Sequence, residues 1–582
     1  MERVVGGEVV AAMLAAEGVR KVFGIVDGTY VGLYASFEKY GIELISPRHE
    51  TTAAHMAGAY ARATGTLGVC MASNGPGVAN MLPGIAVENG EGNRVLVLTS
   101  SRRQGITNPD RGGTYQHFEQ CSVIGPMSKW SGHAATFERL PEMMRRAFRV
   151  SWRGRPGVVH VDVPENVMNG TFEIREGWES APSTYRRTDP ATPAADEVAQ
   201  VADRLRRAER PMLHVGSGAV HAMAFDEIAA LADALQAPVT SSWGAQSVLP
   251  GGNPLSIPLG AMDVATRARE QADLFLVVGS RLGETDWWGR GPRWGGAGKA
   301  VIQVDIDEEI LGLNKPVELA ILSDARTFAR ELITALQRDP VRGESLEARR
   351  KWAADLSAAV AKLHDELNLA LLHDNAPMHP AHVPHVARQV FGADALLVVD
   401  GGNTAVWTTM YHSPGRPGSV FSTFKFGMLG AGPGQALGLK AAFPERPVYC
   451  IAGDGAMGMH IQEIETAVRH DMPVVFVVLC DRQWGMVKLT QQVGLGPIRE
   501  VLGVRSEGTI NADLGEVRFD EVARAMGAYG ERVSAPGDLE GALRRAKDSG
   551  RAAVVHVDVD PSQHLFAPGL LEFREMHQEP IG

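Results

Sequence analysis

Cysteine is scarce. The chain has four in 582 residues, at positions 70, 121, 450 and 480. They are far apart, with no C-x-x-C pair and no histidine cluster at zinc spacing, which argues against a disulfide framework and a structural zinc site. Reduced thiols in a cytoplasmic protein fit this usage. Long apolar runs are missing too. The longest, such as Pro473 to Cys480, have strand length and fall well short of the ~20 residues that cross a bilayer. The N-terminal Met-Glu-Arg-Val-Val-Gly-Gly has no apolar stretch followed by a cleavage site. Secretion and membrane spanning are therefore disfavoured. Positive charge is not in excess either: 57 Lys and Arg against 68 Asp and Glu give a net charge of −11. That balance makes a general nucleic-acid binder a poor reading. There is no short-period repeat and no low-complexity tract.

What is there is ordinary globular composition, 45% hydrophobic and 21% charged, which argues against disorder. Glycine, at 65 residues, is above average without a collagen period. It points to many tight turns and close backbone approaches.

Strand and helix patterns alternate along the chain, which implies parallel sheets with helices on both faces. The sequence predicts strands at 21–24, 43–45, 67–72, 93–99 and 157–163, then 211–215, 274–278 and 300–304, then 395–399, 448–452, 474–479 and 553–557. Helices are expected at 9–17, 51–64, 346–372 and 461–469. The expected fold class is three doubly wound parallel-sheet α/β domains, at residues 1–172, 197–338 and 385–559. A Pro/Thr/Ser-rich linker (173–196) and a connector (339–384) separate them, and a tail (560–582) follows.

The sharpest local feature is a strand ending in Gly453-Asp454-Gly455-Ala456. One strand–helix–strand crossover later, another strand ends at Asp481, Arg482 and Gln483. Both aspartates should therefore reach the carboxyl edge of one parallel sheet, where ligands bind. Two converging carboxylates suit Mg²⁺, which shares oxygen ligands with phosphates. The glycines allow close backbone approach, and a following helix N-terminus favours a diphosphate. Two further features lie near the start of the chain. Arg48-His49-Glu50 opens a helix, where a carboxylate is ordinarily a dipole complement. Ser73-Asn74-Gly75-Pro76-Gly77 follows a buried strand as a loop able to lie against a ligand.

Taken together, these segments resemble the thiamine diphosphate (ThDP) enzymes. The nearest branch is that of acetohydroxyacid synthase, pyruvate oxidase and 2-hydroxyacyl-CoA lyase. Val22-Phe23-Gly24 and Gln303-Val304-Asp305-Ile306-Asp307 extend the resemblance over nearly the whole chain. It implies a pyrimidine-binding domain, a central domain and a diphosphate-binding domain. It also implies a homodimer at minimum, with a homotetramer expected, and one cofactor clamped between two subunits.

The resemblance assigns Glu50 to the pyrimidine ring, where its carboxyl promotes the nucleophilic form of the cofactor. Asp454, Asp481 and the Gln483 carbonyl would ligate Mg²⁺; the family usually has Asn at the position of Asp481. Gly75, Asn403, Thr404, Gly427, Gly455 and Ala456 match cofactor-holding positions, and Leu429 the bulky residue beneath the bent cofactor. Asp27, Gln116 and His117 are candidate groups near the reacting carbon. Tyr30, Tyr115 and Trp484 are expected around the substrate. For each of Asp27, His117 and Trp484 an ordinary turn, surface or core role stands beside the functional one.

Thr285 and Thr490 stand where biosynthetic synthases place an Arg and a Trp for the acceptor acid. The expected activity is an acetolactate synthase-like carboligase or lyase acting on small carbonyl substrates, 2-keto acids or acyloins. A 2-hydroxyacyl-CoA lyase or oxalyl-CoA decarboxylase is the alternative. A catalytically silent binding protein is a remote one, against which the retained Glu50, Asp454 and Asp481 argue. Gly216-Ser217-Gly218 permits FAD, or ADP or CoA, in the central domain. Phe566, Leu570, Leu571 and Phe573 would let the tail act as a lid or, equally, pack on a neighbouring subunit.

Overall fold

A computed structural model describes residues 3–107, 109–173, 180–296, 298–423 and 425–576. Part of the expected linker, 174–179, and the Leu571 and Phe573 side chains of the expected lid lie outside the described residues. The chain forms two compact units. One comprises residues 1–190 with 433–445 and 462–472; the other comprises 191–432, 446–461 and 473–582.

The first unit holds a six-stranded parallel sheet. Its strands are β1 (Lys21–Gly24), β2 (Glu43–Ile45), β3 (Gly68–Ala72), β4 (Val95–Ser101), β5 (Trp130–His133) and β6 (Val158–Pro164), in the order β2-β1-β3-β4-β6-β5. Helices α1 (Glu50–Thr64) and α2 (Pro76–Glu91) flank it.

The second unit holds two parallel sheets. The central one has β7 (Pro211–Val215), β8 (Val239–Ser241), β9 (Leu274–Val278), β10 (Ala300–Asp305) and β11 (Leu319–Leu322), in the order β8-β7-β9-β10-β11. The other has β12 (Leu396–Asp400), β13 (Val420–Phe421), β14 (Val448–Gly453), β15 (Val474–Cys480), β16 (Tyr529–Val533) and β17 (Ala553–Asp558), ordered β13-β12-β14-β15-β17-β16. The parallel α/β class expected from the alternation of patterns is the class observed.

Inner strands are apolar throughout because both their faces are covered. In β15, Val-Val-Phe-Val-Val-Leu-Cys, every residue is buried. Each such side chain contributes roughly 1.5–3 kcal/mol when fully removed from water.

Two helices differ from expectation. The segment after β14 is helical from Asp454 itself, as Asp454–Met459, and a second helix, Glu463–Arg469, follows. The long helix predicted over 346–372 runs Gly343–Asn368 and tightens to a 3₁₀ turn at Leu369–Leu372. No helix among the described residues is long and apolar enough to cross a membrane.

Candidate active site

The second unit carries the aspartate pair. β14 and β15 are neighbours, with Gly453 opposite Leu479, so their ends bring Asp454 and Asp481 to one edge. Asp454 is the first residue of α3 (Asp454–Met459). Its Oδ1 accepts from the Gly455 N–H and its Oδ2 from the Arg482 N–H, both at 2.8 Å. Asp481 Oδ1 accepts from the Gln483 N–H at 3.2 Å, and Oδ2 from Gln483 Nε2 at 2.9 Å. Burial, and then the like charge of Asp481, push Asp454 up to about 6. Two carboxylates held in this way repel, and a hard divalent cation would relieve the repulsion.

Around the pair lies a cradle. Asn403 and Thr404 begin the helix Asn403–Tyr411 and are buried. Asn403 Nδ2 donates to the His564 carbonyl at 3.2 Å, while its buried Oδ1 has no partner among the described residues. A buried acceptor of this kind suits a donor from a bound group. Gly427 has φ +74°, and open space stands where a Cβ would be. Asp400 accepts from the N–H groups of Gly430 and Gly432 at 3.2 and 2.7 Å. That anchors the loop bearing Leu429. Leu429, Ala456, Trp484 and Thr490 line a cavity of about 460 Å³ together with both aspartates. The Trp484 ring packs on Gly455, where a Cβ would come within 2.5 Å of it.

The first unit carries the carboxylate at Glu50, which opens α1 and is 9% exposed. The preceding residue, His49, caps the helix by accepting from the Thr51 N–H through Nδ1 at 3.2 Å. Glu50 Oε2 accepts from Asn80 Nδ2 at 3.1 Å. Gly77 lies against the other oxygen: a Cβ there would sit 3.4 Å from Oε1. Just before the helix, the Arg48 N–H donates to the buried Glu463 at 3.1 Å.

Gly75 and Gln116 meet. Gly75 has φ +69° and a Cβ there would clash with the Gln116 carbonyl at 2.7 Å, an oxygen that also accepts from Asn74 Nδ2. Asp27 caps a short turn, accepting from the Thr29 N–H at 2.8 Å and hydroxyl at 2.6 Å. Tyr30 is buried and donates to the Ile25 carbonyl. Burial, then the charges of Asp27 and Glu50, hold its phenol far above the usual range. Tyr115 is 73% exposed. His117 is half-buried, its Nε2 3.9 Å from Glu119.

Two groups in the cavity wall escape a reading of the sequence. His564, in the tail, places Nδ1 2.6 Å from Asp481 Oδ2. It sits on the short helix Pro561–Leu565, capped by Asp560, which accepts from the Ser562 and Gln563 N–H groups. The Asp-Pro pair that starts this helix is a signal present in the sequence. Trp243, from the turn after β8, is the other, and no motif marks it.

Comparison with known proteins gives matches to three families: the N-terminal TPP binding domain (residues 4–123), the central domain (198–332) and the C-terminal TPP binding domain (400–557) of thiamine pyrophosphate enzymes. Among its relatives, the chain is 30% identical to a sulfoacetaldehyde acetyltransferase from Castellaniella defragrans, over 92% of this chain and 89% of that one. It is 27% identical to the acetolactate synthase isozyme 3 large subunit of Escherichia coli (strain K12), over 97% and 96%. It is 26% identical to a probable acetolactate synthase large subunit of Methanocaldococcus jannaschii, over 96% and 93%.

Proposed function

Because the chain belongs to the thiamine pyrophosphate enzyme family, in the acetohydroxyacid synthase and pyruvate oxidase branch, we propose that it uses ThDP and Mg²⁺ to make or break a C–C bond beside a carbonyl. It is a ThDP-dependent enzyme; the substrates we assign are small 2-keto acids or acyloins. Bound ThDP supplies a carbon nucleophile and an electron sink. The observation that carries the reading is the Asp454–Asp481 pair beside the orphaned Asn403 oxygen.

In this reading Asp454, Asp481 and the Gln483 carbonyl hold the metal, and Asn403, Thr404, Gly427, Gly455 and Ala456 form the diphosphate cradle. Leu429 supports the cofactor from below. Glu50, hydrogen-bonded to Asn80, holds and releases a proton at the pyrimidine. Gln116, His117 and Asp27 stand near the reacting carbon, with Tyr30, Tyr115 and Trp484 around the substrate. The Glu50 half-site and the aspartate half-site belong to different copies in a homodimer at minimum, and we expect a homotetramer. The four free cysteines support a cytoplasmic placement.

Thr285 and Thr490 favour a second reading, in which sulfoacetaldehyde is the substrate of an acetyl transfer, the activity in the name of the 30%-identical relative, sulfoacetaldehyde acetyltransferase. The test is consumption of pyruvate, acetoin and sulfoacetaldehyde by protein stripped of cofactors and reloaded. Pyruvate or acetoin turnover that needs both ThDP and Mg²⁺ is expected. Turnover of sulfoacetaldehyde alone would select the second reading. Inert substrates in a protein that binds ThDP would overturn both.

A further inference from the structure

The central sheet reverses its winding at β7: β8 lies on one side of it and β9 on the other. In open parallel sheets the crevice beyond such a point receives nucleotides. We propose that in this chain the crevice holds no nucleotide, being filled by the chain's own side chains, and that Trp243 at this filling acts as a fixed wall of the cofactor cavity, limiting substrate size. The wall's role rests on the function proposed above; the filled crevice does not.

The glycines after β7 do not open space for a ligand. A Cβ at Gly216 would lie 2.2 Å from the Gly279 carbonyl oxygen, and one at Gly218 would lie 2.7 Å from the Gly279 Cα. These glycines let the loops after β7 and β9 touch each other. The helix they begin, Ser217–His221, has five residues, too few for an anion site of its own.

Above them the charges are compensated internally. Asp286, 5% exposed, accepts from the Ser242 hydroxyl at 2.6 Å and the Ser280 hydroxyl at 3.2 Å. His214 Nε2 lies 3.4 Å from its other oxygen. The buried guanidinium of Arg269 stacks on Trp287 and Trp294 with its carbon 5.8 and 4.6 Å from their ring centres, and Asp286 opposes its charge. A diphosphate entering here would face the Asp286 carboxylate, whose charge opposes it.

Room beside the network is small. The cavity among Thr240, Trp243, Thr285, Asp286 and Trp287 is about 20 Å³, whereas ligand pockets run to roughly 300–1,000 Å³. Trp287, which lines this region, has φ 49°, a left-handed conformation that is unfavourable for bulky residues. Trp243 lines this remnant and also the 460 Å³ cofactor cavity, so it borders both.

The experiment has two arms. In the first, small molecules released from the purified holoprotein are identified by absorbance and mass. FAD, ADP and CoA are then titrated separately into the protein. No nucleotide released and no binding at about 100 μM, a weak-affinity threshold, is expected. Stoichiometric release or saturable binding of any of the three overturns the filled crevice.

In the second arm, Trp243→Ala and Trp243→Phe are compared with wild type on a series of 2-keto acids of increasing chain length. Both turnover and competitive binding are measured. Trp243→Ala should keep ThDP affinity and raise the preference for the longer acids over pyruvate by about tenfold, while Trp243→Phe keeps the wild-type preference. An unchanged preference in the Ala variant overturns the wall. If wild type neither turns over nor binds any 2-keto acid, the wall fails with the proposed function, and the nucleotide result stands separately.

Discussion

Asp454 and Asp481 are joined to the fold by backbone N–H donors, yet the two charges still oppose each other. Asp454 is raised from 3.8 to about 6. The protonated form is therefore favoured in the metal-free fold, and that stabilisation is lost as pH rises through about 6. A metal needs the ionised form, so metal and proton compete in the same window. The gain in melting temperature on adding Mg²⁺ should be small near pH 5 and grow as pH rises through about 6. A gain that is flat across this range would remove Asp454 from the ligand set.

Asp454→Asn should lower metal-dependent ThDP affinity by about 100-fold, ~2.7 kcal/mol, read by cofactor titration; wild-type affinity would sink the assignment. Glu50→Gln should leave the cofactor bound and cut turnover by about 10²–10⁴, measured under saturating substrate; unchanged turnover would take Glu50 out of the mechanism. The aspartate at 481, in place of the Asn usual in the family it resembles, adds a charge. His564 Nδ1 lies 2.6 Å from its Oδ2.

At the scale of elements, α1 and α2 fix where Glu50 points. They approach closely at Gly58, where a Cβ would lie 1.7 Å from Glu88 Oε2. Glu88 is fully buried, 2.7 Å from His55 Nδ1 and accepting from Asn93 Nδ2 at 2.6 Å. Gly58→Ala must displace that carboxylate. It should lower stability by about 2–4 kcal/mol through overpacking and a disturbed buried polar network. A denaturation midpoint equal to wild type would show that the contact yields freely.

The same scale explains what the sequence made legible. Strands inside the sheets, such as Val474–Cys480 and Val448–Gly453, are covered on both faces and read as apolar runs. Strands at sheet edges are less uniform: Glu43–Ile45 is expected from its apolar residues, while others are not. Trp130–His133 is Trp-Ser-Gly-His and half-exposed throughout; Tyr529–Val533 contains Gly-Glu-Arg; Val420–Phe421 is two residues long. These, with Val239–Ser241 and Leu319–Leu322, form edges that the sequence did not announce. Site residues divide likewise. Asp454 and Asp481 end apolar strands, so their meeting at one edge followed from the pattern. Trp243 and His564 reach the same cavity through tertiary packing of a turn and a tail, which spacing does not encode.

At the scale of the whole molecule, the proposal that each active site draws Glu50 from one copy and Asp454 from another has a direct consequence. Glu50→Gln and Asp454→Ala should each be inactive alone. In a mixed dimer, one site combines both defects, while the other receives an intact Glu50 from the Asp454→Ala copy and an intact Asp454 from the Glu50→Gln copy. Random pairing after co-expression at equal levels makes half the dimers mixed, with one working site in each, so about a quarter of wild-type activity should return. Copies purified apart and mixed without subunit exchange should stay inactive. If both residues serve a site within one copy, every site in the mixture carries a defect and no activity returns. Activity near a quarter, appearing only when the two chains are made together, would therefore establish both the homodimer and the sharing of its sites.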